Sequence, residues 1–245
     1  MRRIGLIGGM SWESSIEYER IINEEVRRRL GGASSADLVI RSFNFASIEA
    51  MQAAGRWDDA AQVLAEAAAD LERSGAEILI LCTNTMHRLA HAIESATTVP
   101  LIHIADPTAR AVVADGIGVV GLLGTRYTME GAFYAGRLRD VHGLDVLVPD
   151  EAGRALVHAM IYDELVRGVV SPASRSAVLG VVTELIGRGA AGIIAGCTEM
   201  ELLIGPDDVP VPLYPTARLH ALAAVEASLA AGRSSGPSGS LTPEA

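Results

Sequence analysis

The sequence predicts an α/β protein of two similar lobes, each a parallel sheet wrapped by helices and related to the other by a pseudo-twofold axis. Three observations carry this. Short apolar runs of strand length alternate with longer stretches of helical periodicity, the pattern of α/β layering. The order of elements in the first half returns in the second. Three anchors also repeat at nearly one spacing. IGLIG from Ile4 lines up with VGLLG from Val120, 116 residues on; Gly75-Ala76 lines up with Gly189-Ala190, 114 on; Cys82 lines up with Cys197, 115 on. Such agreement reads as an internal duplication.

The elements follow in order. Residues 3–7 form a strand closed by Gly8-Gly9, and helical periodicity runs from Trp12 to Leu30 with Ile16, Ile21, Ile22 and Val26 on one side. Residues 37–43 make the second strand. Asp58 can cap a helix through Arg73, ended by Gly75, and residues 77–81 deliver Cys82. In the second half residues 117–123 are a strand ending in Gly124-Thr125, followed by a helix near 129–140 and a strand at 144–148. Ser171-Pro172 is a helix start, a capping hydroxyl followed by proline at the first helical position. That helix ends near 187–189, and 192–196 delivers Cys197. The lobes are expected at 1–108 with 211–231, and at 109–210. The tail GRSSGPSGSLTPEA, 232–245, is flexible by composition.

Length and charge narrow the function. A chain of 245 residues has ample apolar content for a core. Its net charge of −10 argues against nucleic acid or an anionic membrane as partner, since either needs a basic face. No apolar run approaches the roughly 18 residues of a membrane span. MRRIGLIGGMSWESS has too short an apolar run for a signal peptide, and Glu13 stands where cleavage would fall. Two cysteines make no disulfide framework, so both thiols are expected to be free in a reducing cytoplasm.

In parallel sheets ligands bind at the carboxyl ends of the strands. Both cysteines sit there, so two facing lobes would point two thiols into one cleft. The plain alternative is that each is a small buried hydrophobe. Opposed thiols suit acid–base chemistry on both faces of one carbon: a thiolate removes a proton, the other thiol supplies one, and the centre inverts without a cofactor. An ordinary thiol, with a pKa of about 8.5, is only a few per cent ionised near neutrality. The helix expected after each cysteine would favour the thiolate by up to about 2 kcal/mol when partly buried. Thr83, Asn84, Thr85 and Thr198, with helix-start N–H groups, can cradle the charge that develops on a carboxylate, or act as N-caps. Glu199 can orient Cys197, receive an ammonium group, or serve as a first-turn acid.

At these residues the chain resembles the aspartate/glutamate racemase family, cofactor-independent two-cysteine enzymes. The likeness covers about residues 1–231 and rests on IGLIGGMSWES, SFNFASIEAMQAAGRW, LCTNTMH, LLGTRYTME and GCTEM. The GGMSWES motif is similar to the broad-specificity bacterial branch. The resemblance implies two Rossmann-like lobes with the last helix returning to the first, an amino-acid substrate, no pyridoxal phosphate or metal, and a homodimer. It implies Cys82 and Cys197 as the catalytic pair, with substrate contacts from Met10, Ser11, Gln52, Thr83, Asn84, Thr85, Thr125, Thr198 and Glu199. Members acting on aspartate carry an arginine after the second strand, where this chain reads Phe45-Ala46-Ser47-Ile48-Glu49. Their lysine before the last helix of the second lobe corresponds to Arg167, which can pair with a carboxylate. Where relatives often read Phe-Asp-Thr, this chain has Tyr214-Pro215-Thr216. Aspartate, glutamate and an uncharged amino acid such as homoserine all stay open as substrates.

The remaining motifs carry less. His87 and His91 share a helical spacing but lack a third ligand, so a helix surface is expected rather than a metal site. His103 and His220 read as hydrogen-bonded structural residues. Gly5, Gly8 and Gly9 do not make G-x-G-x-x-G, so dinucleotide binding is not indicated. Rivals to racemisation are isomerisation of a maleate-type substrate or decarboxylation on the same scaffold, and a non-catalytic binding or redox-sensing protein.

Overall fold

A computed structural model describes residues 1–230 of the chain, so the tail expected to be flexible at 232–245 lies outside the described residues. The first half runs β1 (Ile4–Gly8), α1 (Trp12–Leu30), β2 (Leu38–Ser42), α2 (Phe45–Ala53), α3 (Trp57–Arg73), β3 (Ile78–Leu81), α4 (Ala90–Ala96) and β4 (Leu101–Ile102). After it come α5 (Ala105–Ala114), β5 (Val119–Gly124), α6 (Arg126–Glu130), α7 (Ala132–His142), β6 (Asp145–Leu147), α8 (Glu151–Asp163) and α9 (Pro172–Gly187). The chain then continues through β7 (Gly192–Gly196), α10 (Met200–Leu203), β8 (Leu213–Pro215) and α11 (Thr216–Ala230). Two four-stranded sheets result, ordered β2-β1-β3-β4 and β6-β5-β7-β8, with every pairing parallel. The central strands are buried on both faces, which is why ILIL and GIIAG read as unbroken runs of apolar and small residues.

The duplication is visible in the packing. Gly5 pairs with Leu79 in the first sheet, and Gly121 pairs with Ile193 in the second. A Cβ on Gly5 would stand 2.7 Å from Leu79 Cδ2, and one on Gly121 would stand 2.8 Å from Ile193 Cδ1. Each glycine admits the next strand's side chain and the helix behind it. The helix-to-strand turns also match. The Ala76 N–H donates to Leu71 O and the Ala190 N–H to Leu185 O, both at 3.0 Å. Residues of α3 and β3 therefore correspond to those of α9 and β7 at a spacing of 114.

Several expectations change in detail. The lobe boundaries shift, because β8 pairs with β7 and so belongs to the second sheet rather than the first lobe. Only α11 returns, packing Ala217, Ala221 and Val225 against Tyr18 and Ile22 of α1. Ala105, Ala109 and Val112 of α5 pack with Val120 and Tyr134, so the expected division at 108 cuts a helix of the second lobe. Ile16 does not join the core of α1 but is 51% exposed. Arg56 precedes α3 without a side-chain cap, and Asp58 lies inside the first turn, where its charge still favours the helix. The single helix expected at 129–140 is two, broken at Gly131, where a Cβ would meet Tyr127 O at 2.5 Å. Ser171 caps α9 as expected, accepting from the Ser174 N–H at 3.0 Å. No helix among the described residues is long and apolar enough to cross a membrane.

Candidate active site

The carboxyl ends of β1, β3, β5 and β7 converge between the lobes. Met10, Thr83, Thr125 and Cys197, each just past one of these strands, line the same narrow cleft. Its volume is about 30 Å³, room for a few waters at most.

Cys82 is not part of the lining, and strand parity is the reason. Along β3, Leu79 and Leu81 face the core beneath α3, whereas Ile80 and Cys82 face the opposite core with Ile4, Leu6, Tyr18 and Ala217. Cys82 is 1% exposed there. Along β7, Ile193, Ala195 and Cys197 share one side and Ile194 takes the other. With Leu79 equivalent to Ile193, the counterpart of Cys197 is Thr83, and the counterpart of Cys82 is Gly196. The spacing of 115 between the thiols is one residue out of register, and one residue along a strand is the opposite face. The expected pair of facing thiols is thus corrected to a thiol facing a hydroxyl. The thiol switch loses its basis as well, because Cys82 would have to leave its core to reach Cys197.

Cys197 belongs to a buried network. Its Sγ–H donates to Glu199 Oε2 at 2.9 Å, and Thr198 Oγ1 donates to the same oxygen at 2.7 Å. Glu199 Oε1 accepts from Ser11 Oγ at 2.7 Å and Ser14 Oγ at 2.5 Å, both from the start of α1 in the other lobe. The Ser14 and Thr198 hydroxyl oxygens also lie in contact, each giving its single proton to Glu199. Glu199 is 4% exposed, and these donors offset the loss of its hydration. Burial first, then the Glu199 charge, push the Cys197 thiol well above its ordinary range, while burial alone pushes Cys82 up. The thiolate-favouring helices expected after the cysteines are too short to reverse this. Cys82 precedes a 3-10 turn, Thr85–Leu89, and Cys197 precedes α10, which has 4 residues.

The opposite wall is neutral and hydroxyl-rich. Thr85 and Thr125 Oγ1 atoms lie 2.8 Å apart, both buried. Thr216 Oγ1 donates to Ala195 O, so it must accept from Asn84 Nδ2, at 2.9 Å each. That fixes the amide and leaves Asn84 Oδ1 buried without a partner among the described residues. Gln52 reaches across the lobes, its Nε2 on Met86 Sδ at 3.0 Å and its Oε1 accepting from Tyr162 Oη at 2.9 Å. Phe45 stacks on Tyr162 with centroids 6.4 Å apart. Arg167 does not join the cleft but is exposed after α8. His87 is not on a helix surface either. It is 2% exposed, donates Nδ1–H to Thr83 O at 2.7 Å and accepts the Ile104 N–H on Nε2 at 3.1 Å, which holds the Thr83 backbone. His91 is exposed. His220 is hydrogen-bonded as expected, accepting from Tyr18 Oη at 2.9 Å and donating to Ile102 O at 2.7 Å. His103 Nδ1 accepts the Ala105 N–H at 3.2 Å. Sequence reasoning missed Ser14, Phe45, Tyr162, Val166 and Thr216. Only Ser14, three residues past Ser11 at cap spacing, left a readable signal.

A fold of two parallel-sheet lobes, with a cleft at the strand ends between them, defines a class of cleft enzymes that includes racemases. Residues 7–224 match the family model described as Asp/Glu/Hydantoin racemase. The chain belongs to that family and is an enzyme of the racemase kind. A crystal structure of an Asp/Glu racemase candidate from Yersinia pestis is 49% identical, covers 94% of this chain and 100% of that one, and superposes with a TM-score of 0.88. An aspartate racemase homologue from Pyrococcus horikoshii OT3 is 31% identical over 93% of this chain and 99% of its own, with a TM-score of 0.80. The broad specificity amino-acid racemase RacX of Bacillus subtilis is 24% identical over 71% of this chain and 74% of its own length.

Proposed function

We propose that the protein inverts the Cα of a free amino acid, with Cys197 exchanging the proton on one face and the Thr83 hydroxyl on the other. The observation that supports this is the buried Cys197–Glu199 hydrogen bond, in the cleft that Thr83 also lines.

Burial and the neighbouring carboxylate keep Cys197 a thiol at rest. Passing its proton to Glu199 moves one negative charge from oxygen to sulfur without creating another, so the step avoids the cost of a new buried charge. The thiolate then takes the Cα proton. Hydrogen bonds from Ser11, Ser14 and Thr198 hold Glu199 for both transfers. On the far face the Thr83 hydroxyl hands its proton to Cα while taking one from water, and the hydroxide left behind takes the proton held by Glu199, which restores Thr83, Glu199 and the water. The Thr85 and Thr125 hydroxyls suit the substrate carboxylate, where charge grows as the Cα proton leaves. Asn84 Oδ1 suits the ammonium group, which would supply the partner that this acceptor lacks.

None of the 245 residues is a lysine, so the chain offers no side-chain amine for a Schiff base with pyridoxal phosphate. Family membership also supports two further proposals, a homodimer and a cytoplasmic location, the first open to sedimentation. Solvent deuterium exchange at Cα tests the reaction. The wild type should exchange and racemise, and Cys197→Ser should lose about 10²- to 10⁴-fold. Maleate-type isomerisation or decarboxylation would give no such exchange into an amino acid.

A further inference from the structure

The catalytic cleft continues outward past Gln52 and Tyr162, which line both it and a second cavity of about 240 Å³. The walls of this vestibule come from different lobes. Glu49 and Gln52 of α2 face Arg126 and Tyr127 of α6 and His158 and Tyr162 of α8. Arg126 directly follows Thr125, whose hydroxyl lines the inner cleft, so the chain carries the guanidinium to the rim of the site.

Charge is unevenly placed along this path. The inner cleft has no arginine or histidine in its lining. Arg126 is the vestibule's cation, and among the described residues its guanidinium has no carboxylate at ion-pair distance. Nearby arginines are committed, Arg154 to Glu130 and Arg137 to Asp106. Arg126 instead lies over the Tyr127 ring, 5.6 Å from its centroid. His158 Nδ1 accepts the Arg126 N–H at 3.3 Å, so the neutral ring carries its proton on Nε2. Burial, then the Arg126 charge, lower the His158 pKa, so this ring stays an uncharged donor near neutrality. Glu49 on the opposite wall is exposed and repels an anion, which favours the α6 side for any carboxylate that enters.

We propose that Arg126 is a specificity-determining residue, holding the side-chain carboxylate of an acidic amino acid whose Cα lies in the inner cleft. The proposal rests on the racemase reading of the same site. A planar guanidinium matches a carboxylate with two parallel hydrogen bonds. An uncharged side chain leaves Arg126 in water at no cost, so the residue discriminates by adding affinity for acids rather than by excluding other substrates.

The experiment is calorimetric titration of the Cys197→Ser protein, in which proton transfer is silenced, with L-aspartate, L-glutamate and L-homoserine. Arg126→Gln in this background should weaken the tighter-binding acidic ligand at least about tenfold and leave L-homoserine within about twofold. Arg126→Lys should recover part of the loss. Unchanged binding of the acids, or an equal loss for L-homoserine, overturns the proposal. Because no turnover is read, the result stands apart from the racemase reading, which the exchange experiment on the wild type decides. Where racemisation is measured, Arg126→Gln should raise KM for the acidic substrate and leave kcat largely intact.

Discussion

Thr83 and Cys197 occupy equivalent positions in the two lobes, yet they are unlike as acids and bases. A thiol can be ionised by a nearby carboxylate, whereas a hydroxyl is a far weaker acid that releases its proton only to a strongly basic carbanion, and while it keeps that proton it is a poor base. The two directions of inversion should therefore differ in rate constant, one using Cys197 as base and the other relying on Thr83. Thr83→Cys would place a second sulfur at the position equivalent to Cys197. Its expected effect is to bring kcat for the two enantiomers closer together, measured by polarimetry from each side, and Thr83→Ala should lower both. Unchanged asymmetry in the cysteine variant would show that Thr83 takes no part. Arg126 acts at the same scale but on affinity, and its variants should leave the ratio of the two directions alone.

At the scale of elements, the two lobes are copies whose differences matter more than their likeness. The order of elements along the chain, the Ser171 cap and the span of β7 are legible in the chain because each follows from local chemistry, and the shared cleft follows from the duplication. The face of each cysteine is not. β3 is buried on both sides, so ILILC carries no alternation of polar and apolar residues to mark which positions look toward the cleft. Parity has to come from pairing, and Gly5 opposite Leu79 supplies it only once the sheet is seen. The same limit applies to Tyr162 and Phe45, which meet across the lobes without a sequence signal. Packing at the paired glycines gives a test. Gly5→Ala should cost about 1–3 kcal/mol of stability, because its Cβ would press on Leu79 and on Ala76, at 2.9 Å. Gly116→Ala, facing open space, would report only the strain of its positive φ of 71°. Urea denaturation of the two variants separates overpacking from backbone strain.

Across the whole molecule, buried histidines tie stability to pH. His87 and His103 lie with centroids 4.6 Å apart, and His87 and His220 5.7 Å apart, beneath the loop that carries Thr83. Burial lowers all three, His103 to about 3 and His220 to about 4. Their ordinary value in an unfolded chain is about 6.5. Below that pH the unfolded chain takes up protons that the native protein refuses, so stability is full above about pH 6.5 and falls as pH drops toward 4. Each histidine contributes a slope approaching ~1.4 kcal/mol per pH unit within that window. Thermal melts from pH 7 to pH 4 should show a steady fall in Tm, and His220→Gln should make it shallower. A flat profile would mean that the cluster is hydrated or already charged.

The most direct test of the central claim is Cα deuterium incorporation by Cys82→Ala beside Cys197→Ser, with folding checked by circular dichroism. Removing the Cys82 sulfur should cost on the order of 1–2 kcal/mol of core packing and leave exchange near the wild-type rate, while Cys197→Ser should all but abolish it. Loss of exchange in a folded Cys82→Ala protein would contradict the account, returning the second proton transfer to sulfur and removing it from Thr83.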